Sequence, residues 1–183
     1  AVINYEKKFS KVRSNSKKIK FSNAEIKKIS KKIDKKLKRS IDIAFSRIKR
    51  FHLKQKFFSF KYRDKFKNEL AYKYSPLRKV GVYVPGGIAS YPSTVLMNCI
   101  PALVAGVKDI YLSTPAFGSK INPAIVYAAK KCGVKEIYKT GGAHSIAAFA
   151  YGTKTFEKVD KIVGPGNTFV ATAKKEVFGE VGI

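Results

Sequence analysis

Acidic residues are scarce in this chain: 12 Asp and Glu stand against 38 Lys and Arg in 183 residues, for a formal net charge of +26. Histidine and cysteine are scarcer, at two each. Cys99 and Cys132 both sit in apolar, helix-like runs, far apart in sequence. That is neither a disulfide framework nor a zinc-binding spacing, and they read as buried free thiols of a reducing compartment. With only His52 and His144 present, a histidine-based active site within this stretch is not expected. No acid pair, Ser-His-Asp set or metal cluster is visible. No run of about 18 apolar residues occurs, which argues against a transmembrane helix. The strict nucleotide fingerprints G-x-G-x-x-G and G-x-x-x-x-G-K-[ST] are also missing; in GPGNTF (164–169), Phe169 stands where a third glycine would be. The chain starts at Ala1 and stops at Ile183 with no polar tail or helix stop, and is expected to be a piece of a longer protein.

The positive charge is unevenly spread. Residues 1–80 hold 27 Lys/Arg and 6 Asp/Glu, a net +21, while residues 81–183 hold 11 and 6, a net +5. Such basicity invites a nucleic-acid reading. Two features weigh against it. The arginines are few (Arg13, Arg39, Arg47, Arg50, Arg63 and Arg78), whereas bidentate recognition of phosphate or guanine favours arginine. The lysines also arrive with Ile, Asn, Phe and Tyr, as AT-rich codon usage would produce. A solvated lysine face is expected, with no specific nucleic-acid partner and no membrane partner.

Residues 22–52 carry a helical signal. Ser22 and Glu25 form a capping box. Ile26, Ile29, Ile33, Leu37, Ile41, Ala44, Phe45, Ile48 and Phe51 follow as a stripe at helical spacing, with lysines opposite. The pattern predicts one long helix, or two bending near Arg39 and Ser40, packed on something along the stripe. His52 reads as a helix-terminal residue rather than a ligand. In residues 57–79 aromatic and charged residues alternate, which predicts one or two exposed strands, half-buried by their aromatic side; Pro76 limits the second to an edge or a break.

From residue 80 the pattern changes to alternating strands and helices. Strands are expected at 80–84, 109–113, 136–139 and 161–163, and helices at 93–105, 122–131, 143–151 and 167–178. Pro101 should kink or split the first of these helices. GVKDIY (106–111) recurs as GVKEIY (133–138), each time a glycine ending a helix, a valine packing back on it and a strand beginning. The alternation implies α/β architecture: a Rossmann-like, doubly wound parallel sheet over residues 80–183, preceded by a basic helical segment at 1–79.

The turns that follow the strands are PGG (85–87), TP (114–115), GGAH (141–144) and GPGN (164–167), all expected on one edge of the sheet. The glycine pairs at 141–142 and 164–166 directly precede helix starts, where free N–H groups favour anions such as phosphate. The same glycines would also serve tight turns that bind nothing.

Five stretches together go further: GVYVPGG (81–87), YPSTVLMN (91–98), AGV (105–107), EIYKTGGAHSIAAFAYGT (136–153) and VDKIVGPGNTFVATAK (159–174). With these the chain resembles the histidinol dehydrogenase family from about residue 22 to 183. The resemblance implies a zinc-dependent cytoplasmic homodimer that oxidises L-histidinol to L-histidine through the aldehyde, reducing two NAD in sequence. It implies two Rossmann-like domains without the usual glycine fingerprint. Residues 80–183 would be most of one, and the preceding amphipathic helices would belong to the other, incomplete here. Three cofactor-binding positions of the family fall on this sequence: Tyr83, Asn167 and His144. The last stands where the family usually has glutamine. The zinc ligands, the catalytic residues and the substrate contacts would lie beyond Ile183. A basic nucleic-acid-binding protein and an NAD-binding pseudoenzyme are the alternatives.

Overall fold

The computed structural model describes residues 1–10, 19–86, 90–116 and 121–183. Gly87 of the first turn and residues 11–18 of the basic amino-terminal stretch lie outside these. In chain order the elements are α1 (Val2–Tyr5), a π-helical turn (Glu6–Ser10), α2 (Asn23–Ser30), α3 (Lys35–Leu53), β1 (Phe60–Arg63), β2 (Glu69–Tyr72), β3 (Lys79–Tyr83) and α4 (Pro92–Val104). Then come β4 (Asp109–Ser113), α5 (Pro123–Lys131), β5 (Glu136–Tyr138), α6 (Ala143–Tyr151), β6 (Lys161–Val163) and α7 (Thr168–Glu176).

The expected parallel sheet is present, with strand order β5-β4-β3-β6. The chain steps outward from β3 to β4 to β5, then returns to the other side of β3 for β6. The strand order therefore reverses between β3 and β6. Period-two alternation sorts the strand residues onto two faces. Val80, Val82, Ile110, Leu112 and Ile137 join a core with residues of α3, α4 and α5. Tyr83, Tyr111, Tyr138 and Ile162 join a second core with residues of α6 and α7. Both faces are covered, as a parallel sheet requires. Cys99 and Cys132 are buried free thiols in the first core.

The internal repeat is physical. After α4, the Gly106 N–H bonds the Leu103 carbonyl and the Val107 N–H the Ala102 carbonyl. After α5, the Gly133 N–H bonds Lys130 and the Val134 N–H bonds Ala129 in the same pattern. Both are Schellman closures. Of the two outcomes expected at Pro101, a split is not found: α4 runs unbroken through it, and its own carbonyl accepts the Ala105 N–H at 2.8 Å.

Residues 22–52 form two helices, and the break falls at residues 31–34, earlier than the bend expected near Arg39. The cause is Asp34, whose carboxylate accepts the Lys36 and Leu37 N–H groups at 2.9 and 3.0 Å and so starts α3 anew. The Ser22–Glu25 capping box is formed at α2. Most of the apolar stripe rests on the layer of α4 and α5, while its members Leu37 and Phe51 are exposed. Asp42 pins it there, accepting from Tyr127 Oη at 2.8 Å and pairing with Lys131 Nζ at 2.6 Å. Burial, with the bond to Asp42, pushes the Tyr127 phenol up to about 12.

β1 and β2 make an antiparallel hairpin. All eight of its residues are exposed, so the expected half-burial is not met. Its aromatics stack on each other instead, Phe60 on Tyr72 at 6.0 Å and Phe57 on Tyr74 at 5.1 Å. The outer edge of β5 is closed by the segment around Lys20, which bridges Tyr138 antiparallel. The Phe21 N–H bonds the Ile137 carbonyl at 3.0 Å, and the Lys139 N–H bonds that of Ile19 at 2.7 Å.

Two outcomes follow for stability. Asp34→Ala should lower the unfolding free energy by about 1 kcal/mol, the cost of a lost N-cap, in denaturant titration. The Lys131 hydrogen bond holds the Asp42 carboxyl below its usual range. Its contribution is therefore present above the unfolded pKa, roughly 4, and is lost as pH falls through the lower folded value. Asp42→Asn should flatten that part of the acid limb of stability against pH.

Candidate functional site

The turns after the four strands gather at the carboxyl edge of the sheet. β3 runs into Val84-Pro85-Gly86 and β6 into Gly164-Pro165-Gly166. These two turns flank the reversal of strand order, where open α/β sheets form a ligand crevice. Gly164 has φ of +107°, and a Cβ on it would lie 2.0 Å from the Tyr83 carbonyl oxygen. A side chain there would push the ends of β3 and β6 apart. The Gly164 carbonyl accepts from Lys174 Nζ of α7 at 2.6 Å, and burial moves that ammonium below its usual range.

Asn167 caps α7: its Oδ1 accepts the Val170 N–H at 3.1 Å. The residue is exposed, and its amide NH2 has no partner among the described residues. Capping and ligand binding therefore use different atoms of one side chain.

Tyr83 ends β3 and is 4% exposed. Its hydroxyl accepts the Gly142 N–H at 3.2 Å, joining β3 to the turn after β5. Burial holds its phenol above the usual range, so the oxygen keeps its proton. That proton has no acceptor among the described residues.

His144 is the second residue of α6. Its Nε2 donates to Glu6 Oε1 at 2.8 Å, and the Tyr5 ring stacks on the imidazole with centroids 5.8 Å apart. Eleven per cent of the His144 side chain is exposed. Tyr83 and His144 thus meet at the one turn of residues 141–144, while Asn167 stands at the turn of β6. His52 is elsewhere, at the end of α3, bonded to Gln55.

Sequence reasoning missed two residues of this edge. Glu6 lies in a basic amino-terminal stretch, and no local pattern signals its contact with a turn far along the chain. Thr114 was read only as part of a turn. Its Oγ1 is buried without a hydrogen-bond partner among the described residues, as is Ser90 Oγ. Around Thr114 the turns are packed closely: a Cβ on Gly86 would lie 2.9 Å from the Pro115 carbonyl oxygen and 3.3 Å from Thr114 Oγ1, and one on Gly141 would lie 2.2 Å from Pro115 Cγ, so a side chain at either position would force the turns apart. The Thr114 hydroxyl and the unpartnered donors of Tyr83 and Asn167, all along the carboxyl edge of the sheet, suit the polar groups of a nucleotide. The residues do not fit zinc: among the described residues no three His, Cys, Asp or Glu converge. No helix among the described residues is long and apolar enough to cross a membrane.

Comparison with known proteins agrees with this architecture. The family model described as histidinol dehydrogenase matches residues 1–183. The chain is 55% identical over its whole length to histidinol dehydrogenase of Pelagibacter ubique and 48% identical to that of Listeria innocua, spanning 42% of each. It superposes on the crystal structure of histidinol dehydrogenase from Elizabethkingia anophelis with a TM-score of 0.94 and 41% identity, covering all of this chain and 42% of that one. The chain thus spans less than half the length of the relatives it matches. By sequence and by fold together, it belongs to the histidinol dehydrogenase family.

Proposed function

We propose that this chain is the NAD-binding part of a histidinol dehydrogenase, which oxidises L-histidinol to L-histidine through the aldehyde. The observation that carries the reading is the set of unspent hydrogen-bonding groups along the carboxyl edge of the sheet: the Tyr83 proton, the Asn167 NH2 and the buried Thr114 hydroxyl. NAD, when bound, supplies the hydride acceptor. Tyr83 and Asn167 would donate to it.

The zinc ligands and the groups that bind and deprotonate L-histidinol belong to the longer protein's remaining length. A cytoplasmic homodimer, as the resemblance implies, goes with this reading.

Asn167→Asp separates capping from binding, since it keeps the accepting oxygen and removes the donor. In the full-length enzyme it should raise the Kd for NAD about tenfold, the scale of one hydrogen bond, with the melting temperature little changed. Unchanged NAD affinity would leave Asn167 a cap alone. Residues 1–183 purified by themselves should produce no NADH from L-histidinol, and NADH formation by that fragment would overturn the division of labour.

A further inference from the structure

We propose that Glu6 is a positioning residue of the cofactor site, fixing the turn after β5 and setting which nitrogen of His144 faces the cofactor. The proposal rests on the reading that this turn serves NAD. Glu6 is 2% exposed, and one of its oxygens, Oε1, accepts from three groups: Thr140 Oγ1, the Gly141 N–H at 3.0 Å and His144 Nε2 at 2.8 Å. A carboxylate buried this deeply is costly unless such donors surround it. Here they lie within the five residues 140–144, so a single carboxylate ties the end of β5 to the first turn of α6. The amino end of α6 favours the negative charge as well.

Two consequences bear on the ligand. The Gly141 N–H, a donor that a phosphate would otherwise use, is already taken by Glu6. The 141–144 turn therefore meets the cofactor through neutral groups rather than as an anion cradle. The imidazole is also oriented. Its Nε2 carries the proton given to Glu6, and the stacked Tyr5 ring limits its rotation. In the neutral ring Nδ1 is then left as an acceptor. Glutamine, usual at this position of the family, offers an acceptor and two donors. His144 held by Glu6 reproduces the acceptor half of that set. Glu6 comes from the amino-terminal segment, more than 130 residues away in sequence, so the site is complete only when that segment is docked.

The test uses the full-length enzyme. In ligand-free protein with nitrogen-labelled histidine, His144 should give the Nε2–H tautomer in the wild type and in Glu6→Gln, which keeps Oε1, and a tautomer mixture in Glu6→Ala. Glu6→Ala should raise the Kd for NAD about tenfold, the scale of a lost charge-assisted hydrogen bond, with kcat at saturating NAD falling less than Kd rises. Glu6→Gln should recover most of the loss. In a His144→Ala background, Glu6→Ala should add less than about twofold, because coupled residues are not additive. An unchanged His144 spectrum in Glu6→Ala, or an equal loss of NAD affinity with and without His144, overturns the proposal while leaving NAD binding as judged by Asn167→Asp intact. A changed spectrum with NAD affinity untouched in both Glu6→Ala and His144→Ala removes the turn from the cofactor site, and both readings of it fall. If Glu6→Ala does not fold, Glu6→Asp, one methylene shorter, carries the same measurements.

Discussion

The structure hangs on the pairing of β3 along both of its edges. It is the one strand that joins the outward run of β4 and β5 to the returning β6. A parallel strand so placed has no face for water, so each side must be roofed by helices. Val80 and Val82 look toward one roof and Tyr83 toward the other. Where β3 ends, the chain cannot continue straight without leaving the sheet, and the neighbouring strands end beside it. The ligand edge is thus a product of the same pairing that makes the core.

That edge is knitted together by polar contacts between turns rather than within them. Tyr83 reaches from β3 to the Gly142 N–H, Ser113 at the end of β4 donates to the Thr140 carbonyl at 2.7 Å, and Glu6 closes the far side. The turn after β5 is therefore held from β3, from β4 and from the amino-terminal segment. The turn after β6 is held by its own helix, through Lys174 and Asn167. A ligand reaching along this edge from the turn after β5 to the turn after β6 would touch one turn fixed by distant chain and one fixed locally.

Much of this was legible in the sequence, for identifiable reasons. The buried strands announce themselves as apolar runs, and the twin GVK segments mark two helix ends that prove to share one hydrogen-bond pattern. The helix over residues 143–151 and the strand over 161–163 were placed to the residue. Local chemistry misled where its strength depends on context. Pro101 reads locally as a helix breaker, but α4 runs through it. Asp34 was passed over as one acid among lysines, although its capping bonds decide where α3 starts. The aromatic alternation of the hairpin looked like burial, yet those rings pair across the two strands. Least legible were Glu6 and the orphaned hydroxyl of Thr114. Their significance lies wholly in what the folded chain brings beside them, and periodicity carries no trace of that.

The closure of the β5 edge by residues 19–21 has a consequence for biosynthesis. The partner of Phe21 is Ile137, so the first-made segment must wait for more than a hundred further residues before its pairing strand exists. At typical translation speeds that delay is on the order of 10 s. During that time a short, lysine-flanked apolar segment is displayed without a mate, and the nascent sheet later displays an uncovered rim of its own. The charges around Ile19 and Phe21 then act as gatekeepers, discouraging association with other unfinished chains until the rim arrives.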